Sequence, residues 1–147
     1  MKFKKLFYLW GSVVGWCGVI FAFSSMPTLA KVPIIWWDFV LKKGAHMVEY
    51  GILFFLLFRA FKQTFSVKKF DLAFWTMIFM FCMFYALSDE WHQSFVPGRT
   101  STIRDVGFDF LGMLSAFLIL KKCSVSSLQL PVARKKKIGN WKQEAGN

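Results

Sequence analysis

Acidic residues are scarce in this chain. Its 147 residues include 8 Asp and Glu against 19 Lys and Arg, for a formal net charge of +11. Cysteine is scarce as well: there are 3, an odd number, and none forms a C-x-x-C pair, which argues against a disulfide framework or a zinc knuckle. Cys17 and Cys82 sit inside apolar runs and Cys123 lies just past one, so they read as small lipid- or core-facing side chains. Only 4 prolines and 2 histidines occur, and no internal repeat is present. What abounds is apolar: 56% of residues are hydrophobic and 20% aromatic, with 19 Phe and 7 Trp. A soluble domain of this length has too much surface to hide that much apolar matter, and a disordered chain has too little of it. The length suits one domain, and the composition places it among polytopic membrane proteins.

Apolar runs predict four transmembrane helices in an all-α membrane protein. The first, Leu6 to Phe23, spans about 27 Å at ~1.5 Å per residue, close to one hydrocarbon core, and is longer than the apolar region of a signal peptide. It is expected to stay as an anchor; Thr28-Leu29-Ala30 is the rival cleavage site. Ser24 to Lys43 reads as a loop punctuated by Pro27 and Pro33, with Ile34-Ile35-Trp36-Trp37 suited to an interfacial aromatic belt. The second span covers Gly44 to Phe58, followed by a basic loop from Arg59 to Lys69. The third covers Phe70 to Leu87 and gives way to Ser88–Arg99, where Pro97-Gly98 stops any helix. The fourth runs from Ile103 to Leu120. Residues 1–122 are therefore expected to form the membrane domain and 123–147 a basic cytoplasmic tail.

Fourteen of the 19 Lys and Arg fall on the side that holds both termini, so the positive-inside rule puts the N- and C-termini in the cytoplasm of a multi-pass cell-membrane protein. The charge thus reads as a record of topology, with the bilayer rather than nucleic acid as the partner. Gly11, Gly15 and Gly18 form a small-residue ridge on the first span that allows close helix packing, and a homodimer fits such short helices.

The topology has a chemical consequence. Asp38, Glu49, Asp89, Glu90, Asp105 and Asp109, six of the 8 acids, together with both histidines, gather on the extracytoplasmic side. Lys43, His46, Glu49 and Tyr50 share one face of the second span at spacings of three and four. Tyr85, Asp89, His92 and Gln93 do so on the third if that helix continues for a turn, and Asp105, Asp109 and Gly112 do so on the fourth. Glu49 and Asp109 lie roughly 9 Å inside their helices, where a lone charge costs several kcal/mol unless it faces protein or water. These residues are expected to turn toward one another and form a polar crevice at the extracytoplasmic ends of helices 2, 3 and 4. A structural salt-bridge network, with Arg99 and Arg104 neutralising Asp105 and Asp109, is the plainer alternative.

Three segments carry a resemblance: Lys43-Gly-Ala-His46-Met-Val-Glu49-Tyr50-Gly51, Ala86-Leu-Ser-Asp89-Glu90-Trp-His92-Gln93-Ser-Phe-Val-Pro97-Gly98-Arg99, and Asp105-Val-Gly-Phe-Asp109-Phe-Leu-Gly112. With Phe23-Ser24-Ser25-Met26-Pro27, they resemble the signatures of the VanZ-like family across roughly residues 20 to 120. The resemblance implies a bacterial cell-envelope role, with reduced susceptibility to the glycopeptide teicoplanin as the family's namesake property. It implies no particular reaction.

Two mechanisms fit the crevice. A membrane-embedded hydrolase or transferase would act on a lipid-linked phosphate or glycan, with catalytic groups drawn from His46, Glu49, Asp89, Glu90, His92, Asp105 and Asp109. Lys43, Tyr50, Gln93, Arg99 and Arg104 would then hold the head group. A binding module would clasp a lipid head group, or the antibiotic, without turning it over. A divalent metal on His46, His92 and carboxylates is a variant of the first, though no H-E-x-x-H motif supports it. An ion-coupled transporter is a third class; it would need a path through Ile52–Phe58 and Phe70–Tyr85, which carry almost no polar groups.

Overall fold

The computed structural model describes residues 3–27, 36–65, 72–99 and 102–144, and these contain four helices: α1 (Phe3–Ser24), α2 (Trp36–Thr64), α3 (Leu72–Gln93) and α4 (Ile103–Glu144). By packing, the chain divides into two units, Met1–Ala116 and Phe117–Asn147. Thr28-Leu29-Ala30, Pro33, Ile34, Ile35, Lys68, Lys69, Phe70 and Asp71 lie outside the described residues.

Helix ends do not coincide with the ends of the apolar runs. The expected loop up to Lys43 is already helical from Trp36, and the expected basic loop after Arg59 is helical through Thr64. Neither stretch contains a proline, and its Lys, Arg, Gln and Leu are good helix formers, so nothing in the backbone stops the helix where the lipid does. α3 likewise continues to Gln93. It then unwinds through Ser94–Arg99: Arg99 N donates to Val96 O at 3.2 Å, and Gly98 takes φ 79°. Proline followed by glycine at positive φ is the chemistry of a type II turn, which only glycine adopts without strain. α4 continues beyond Leu120, where the apolar run stops, to Glu144.

α1 packs on α2 and α3, and α2 packs on α3. The interior is aromatic toward the N-terminal ends of α1 and α3 and the C-terminal end of α2. The Trp75 ring stacks on Phe58 at 5.4 Å and on Phe54 at 6.3 Å, and Phe61 meets Trp10 edge-on at 5.2 Å. Ile20, Leu53, Ile78, Cys82 and Met113 are among the other residues of the buried core. Phe7, Tyr8, Leu72, Phe84 and Trp91 point outward, an apolar exterior that suits lipid and would be a liability in water.

α1, the Lys43–Thr64 part of α2, and α3 are long and apolar enough to cross a membrane. α4 differs, because Arg104, Asp105 and Asp109 occupy its first two turns. Gly11, Gly15 and Gly18 take no part in packing within the chain: an added Cβ at any of the three meets nothing within 4 Å. The close approach is elsewhere, at Gly112. A Cβ there would lie 2.1 Å from Met47 O and 2.8 Å from Met47 C, so α4 rests directly on the backbone of α2. In the second unit, the Lys121 ammonium lies 5.6 Å from the Phe117 ring centroid.

Candidate functional site

The α2–α4 crossing fixes the centre of the site. Met47 O faces Gly112, His46 precedes Met47, and Asp109 lies one turn before Gly112. This registration brings His46 Nδ1 to 3.2 Å from Asp109 Oδ1, at ion-pair distance but without the alignment of a hydrogen bond. Asp109 is only 1% exposed, while His46 remains partly accessible. One turn back along both helices, Lys43 Nζ pairs with Asp105 Oδ1. Two ion pairs thus line the same seam, as the i, i+3 and i, i+4 spacings on α2 and α4 require.

α3 supplies the third wall. Asp89, Glu90 and Gln93 are buried. Gln93 Nε2 donates to Asp89 Oδ2 at 2.7 Å, and Gln93 Oε1 accepts from Arg99 Nη1 at 3.2 Å. The guanidinium also donates through Nη2 to Phe23 O at 2.7 Å and through Nε to Met26 O at 3.2 Å. Arg99 therefore closes the Gly98 turn onto the end of α1 and, through Gln93, orients Asp89. Three of its five N–H groups are engaged this way. Half-buried Glu49 lies close enough to interact electrostatically with His46, Asp89, Asp109 and Arg99. Tyr50 is wholly buried, and its hydroxyl interacts with Asp89, Asp109 and Glu49 in the same way. Among the described residues, four polar atoms here have no hydrogen-bond partner: His46 Nδ1 and Asp109 Oδ1, which face each other at 3.2 Å, the Tyr50 hydroxyl and Asp89 Oδ1. Native interiors leave few such groups unsatisfied, so their presence at one end of the bundle calls for a physical cause.

Not every residue singled out from the sequence joins this cluster. His92 turns toward α1, where its ring lies 4.5 Å from Phe21 and its Nε2 shares a 3.1 Å hydrogen bond with Ser25 Oγ. Ser25 has one hydroxyl proton, which goes to Phe21 O at 2.6 Å, so His92 Nε2 is the donor and carries the proton. Glu90 Oε2 accepts the backbone N–H of Thr102 at 3.1 Å, holding the start of α4 against α3. Arg104 is exposed. The side chains of Trp36 and Trp37, expected at the aromatic rim, lie outside the described residues, and Trp91 and Phe95 are exposed and meet edge-on at 5.6 Å. Among the described residues, no group of three His, Cys, Asp or Glu is placed to share one metal ion.

The part played by α1 was not read from spacing. Trp16 Nε1 donates to Glu49 O at 2.9 Å and the Tyr85 hydroxyl donates to Cys17 O at 2.6 Å, so α1 braces both α2 and α3 beside the site. The Phe23–Pro27 segment was the available signal, and its carbonyls are what Arg99 grips.

A helical bundle with membrane-length apolar helices, and with buried acids beside a partly accessible imidazole at one end, is a membrane protein with a polar cluster inside it. The VanZ/LLP1 family matches residues 7–125 of the chain, and the chain belongs to that family. No curated protein and no solved structure shows a significant match to it.

Proposed function

We propose that this protein is an envelope protein of the bacterial cell membrane whose extracytoplasmic site takes the head group of a lipid-linked envelope component and acts on it by acid–base chemistry. In this reading residues 1–122 form a four-span domain with α4 as the fourth crossing. Both termini and the basic 123–147 tail are cytoplasmic. Its physiological role is to lower glycopeptide susceptibility of the teicoplanin type, the property for which the family is named.

The observation that carries the reading is the buried seam of His46 and Asp109 with Tyr50 and Asp89 beside it, which holds unused hydrogen-bonding capacity. A purely structural salt-bridge network satisfies its members; this one leaves polar atoms of Tyr50 and Asp89 without hydrogen bonds. In this reading His46 serves as base and Glu49 as acid, both on the face of α2 that meets α4. A non-catalytic clasp for the head group would use the same walls. The stacked Trp75, Phe58 and Phe54 rings favour both over a transporter, since they fill the route an ion would need.

Mass spectrometry of lipids that co-purify with wild type and with Glu49→Gln distinguishes turnover from clasping. Turnover predicts one lipid species that accumulates on the variant and is absent from wild type. Identical lipid profiles, with a stoichiometric lipid on both, reject turnover in favour of the clasp. Orientation has its own check. Ser94, exposed just past α3, replaced by cysteine in a chain whose Cys17, Cys82 and Cys123 are serine, is expected to react with a membrane-impermeant maleimide in intact cells. Labelling only after lysis would place the site on the cytoplasmic side.

A further inference from the structure

Arg59 and Arg99 both reach α1, and they are held there very differently. Arg99 donates through all three of its nitrogens, to Met26 O, Gln93 Oε1 and Phe23 O. Arg59 makes one hydrogen bond among the described residues, from Nη2 to Ser12 Oγ at 2.9 Å. Its Nε is sealed off without a partner, whereas Nη1 is neither sealed nor bonded. No carboxylate among the described residues pairs with it. Ser12 is no substitute for one, since its hydroxyl is neutral and sends its own proton to Leu9 O at 2.7 Å. Arg59 also stands about 20 Å along α2 from His46, at ~1.5 Å per residue, so the acids beside His46 do not neutralise it.

The setting of Arg59 suits an anion that comes with the bilayer. The Tyr8 ring, itself exposed, lies 5.7 Å from the guanidinium carbon. Lys5, Tyr8 and Ser12 share one face of α1 at spacings of three and four, and Lys62 follows Arg59 by three on α2. Both lysines are exposed. Phe7 and Phe65, on the same stretches of helix, are exposed apolar rings, so lipid borders this end of the α1–α2 seam. A cation so placed needs a counter-charge or must reach the interface.

We propose that the α1–α2 seam at Arg59 binds the phosphate of an anionic lipid head group from the leaflet at that end of the bundle. A guanidinium presents a planar fork of donors to phosphate oxygens, and Nη1 is the part of that fork still open. The exposed lysines add attraction to a net negative head group. A zwitterionic head group brings the same phosphate with an ammonium that these cations repel. A soluble phosphate monoester offers the same contacts without acyl chains. The site is separate from the His46–Asp109 seam and does not depend on what that seam does.

Calorimetric titration of the full-length protein in detergent tests this, with dihexanoyl phosphatidylglycerol, dihexanoyl phosphatidylcholine and glycerol 3-phosphate as probes. Wild type is expected to bind the glycerol lipid about tenfold or more tighter than the choline lipid, the weight of one charge-assisted hydrogen bond. Arg59→Gln should erase that preference, while Lys122→Gln, which removes the same charge from another exposed position, should keep it. Equal binding of the two lipids by wild type overturns the proposal and makes Asp71, which follows the basic loop in sequence and lies outside the described residues, the rival counter-ion. Equal losses in the two variants also overturn it, as an effect of net charge alone. If Arg59→Gln fails to fold, Arg59→Lys takes its place: it keeps the charge without the fork and should lose about threefold of the preference, and a preference equal to that of wild type overturns the assignment to the guanidinium. Glycerol 3-phosphate binding as tightly as the glycerol lipid upholds a phosphate at Arg59 and rejects the lipid as its source.

Discussion

Gly112→Ala is expected to be among the most damaging single methyl additions this chain can suffer. The new Cβ would lie 2.1 Å from Met47 O, 2.8 Å from Met47 C and 2.9 Å from Met47 Cα, all backbone atoms that no rotamer change can move aside. A carbon and a carbonyl oxygen settle at about 3.3 Å, so α4 must lift from α2 by roughly 1 Å. Overpacking of this kind costs ~1–3 kcal/mol, and the absence of any flexible neighbour puts this case at the upper end. Function suffers in the same step. Separation at the crossing pulls Asp109 away from the 3.2 Å contact with His46, and misplacement of about 1 Å can cost ~10²-fold in rate. Gly18→Ala is the internal control: its Cβ meets nothing within 4 Å, so the better helix propensity of alanine should leave stability unchanged or raise it by up to about 1 kcal/mol. Thermal unfolding of both variants in detergent checks the pair. Equal melting temperatures for Gly112→Ala and wild type would mean that the helices do not cross there.

That contrast also marks how far the sequence could be read. Periodicity placed His46, Glu49 and Tyr50 on one face of α2 and Asp105 and Asp109 on one face of α4, because a helix of 3.6 residues per turn leaves no other arrangement. The cost of burying charge then required those faces to meet. Which glycine mediates the meeting was not legible. Gly11, Gly15 and Gly18 have the regular spacing associated with tight packing, yet they face outward, whereas Gly112 stands alone and carries the contact. Spacing reports which residues share a face and is silent on which face another helix covers. Hydropathy likewise marks where lipid contact begins and not where hydrogen bonding along the backbone ends, so α2 extends at both ends beyond its apolar run. The turn of His92 toward Ser25 and the hold of Glu90 on Thr102 N depend on α1 and α4 as neighbours. No local pattern encodes a neighbour. The Phe23–Pro27 segment was visible, but its use, two backbone carbonyls for one guanidinium, needed the Gly98 turn to deliver Arg99.

Asp109→Asn sets the two readings of the cluster against each other. In a structural network, Asp109 is the buried anchor of His46, and truncating one partner of a buried pair costs about 3–5 kcal/mol. In a functional site, the same carboxylate is held at a loss: it is 1% exposed, its Oδ1 lacks a hydrogen bond, and Asp89 lies within electrostatic reach. Asparagine keeps the shape, removes the buried charge and relieves that repulsion. The expected outcome is therefore a protein that inserts normally and melts at the wild-type temperature or higher, by up to ~2 kcal/mol, the sign seen when a strained site is relaxed. Activity should fall by about 10²–10⁴-fold, the usual share of a positioned acid or base, measured as turnover of the bound lipid species or as loss of teicoplanin protection in a host lacking its own copy. Stability that falls by several kcal/mol while protection declines only in proportion to the folded fraction would convict the cluster of being a salt-bridge network after all. The two outcomes differ in the sign of the stability change, so a melting curve of the variant suffices to choose between them even before a substrate is in hand.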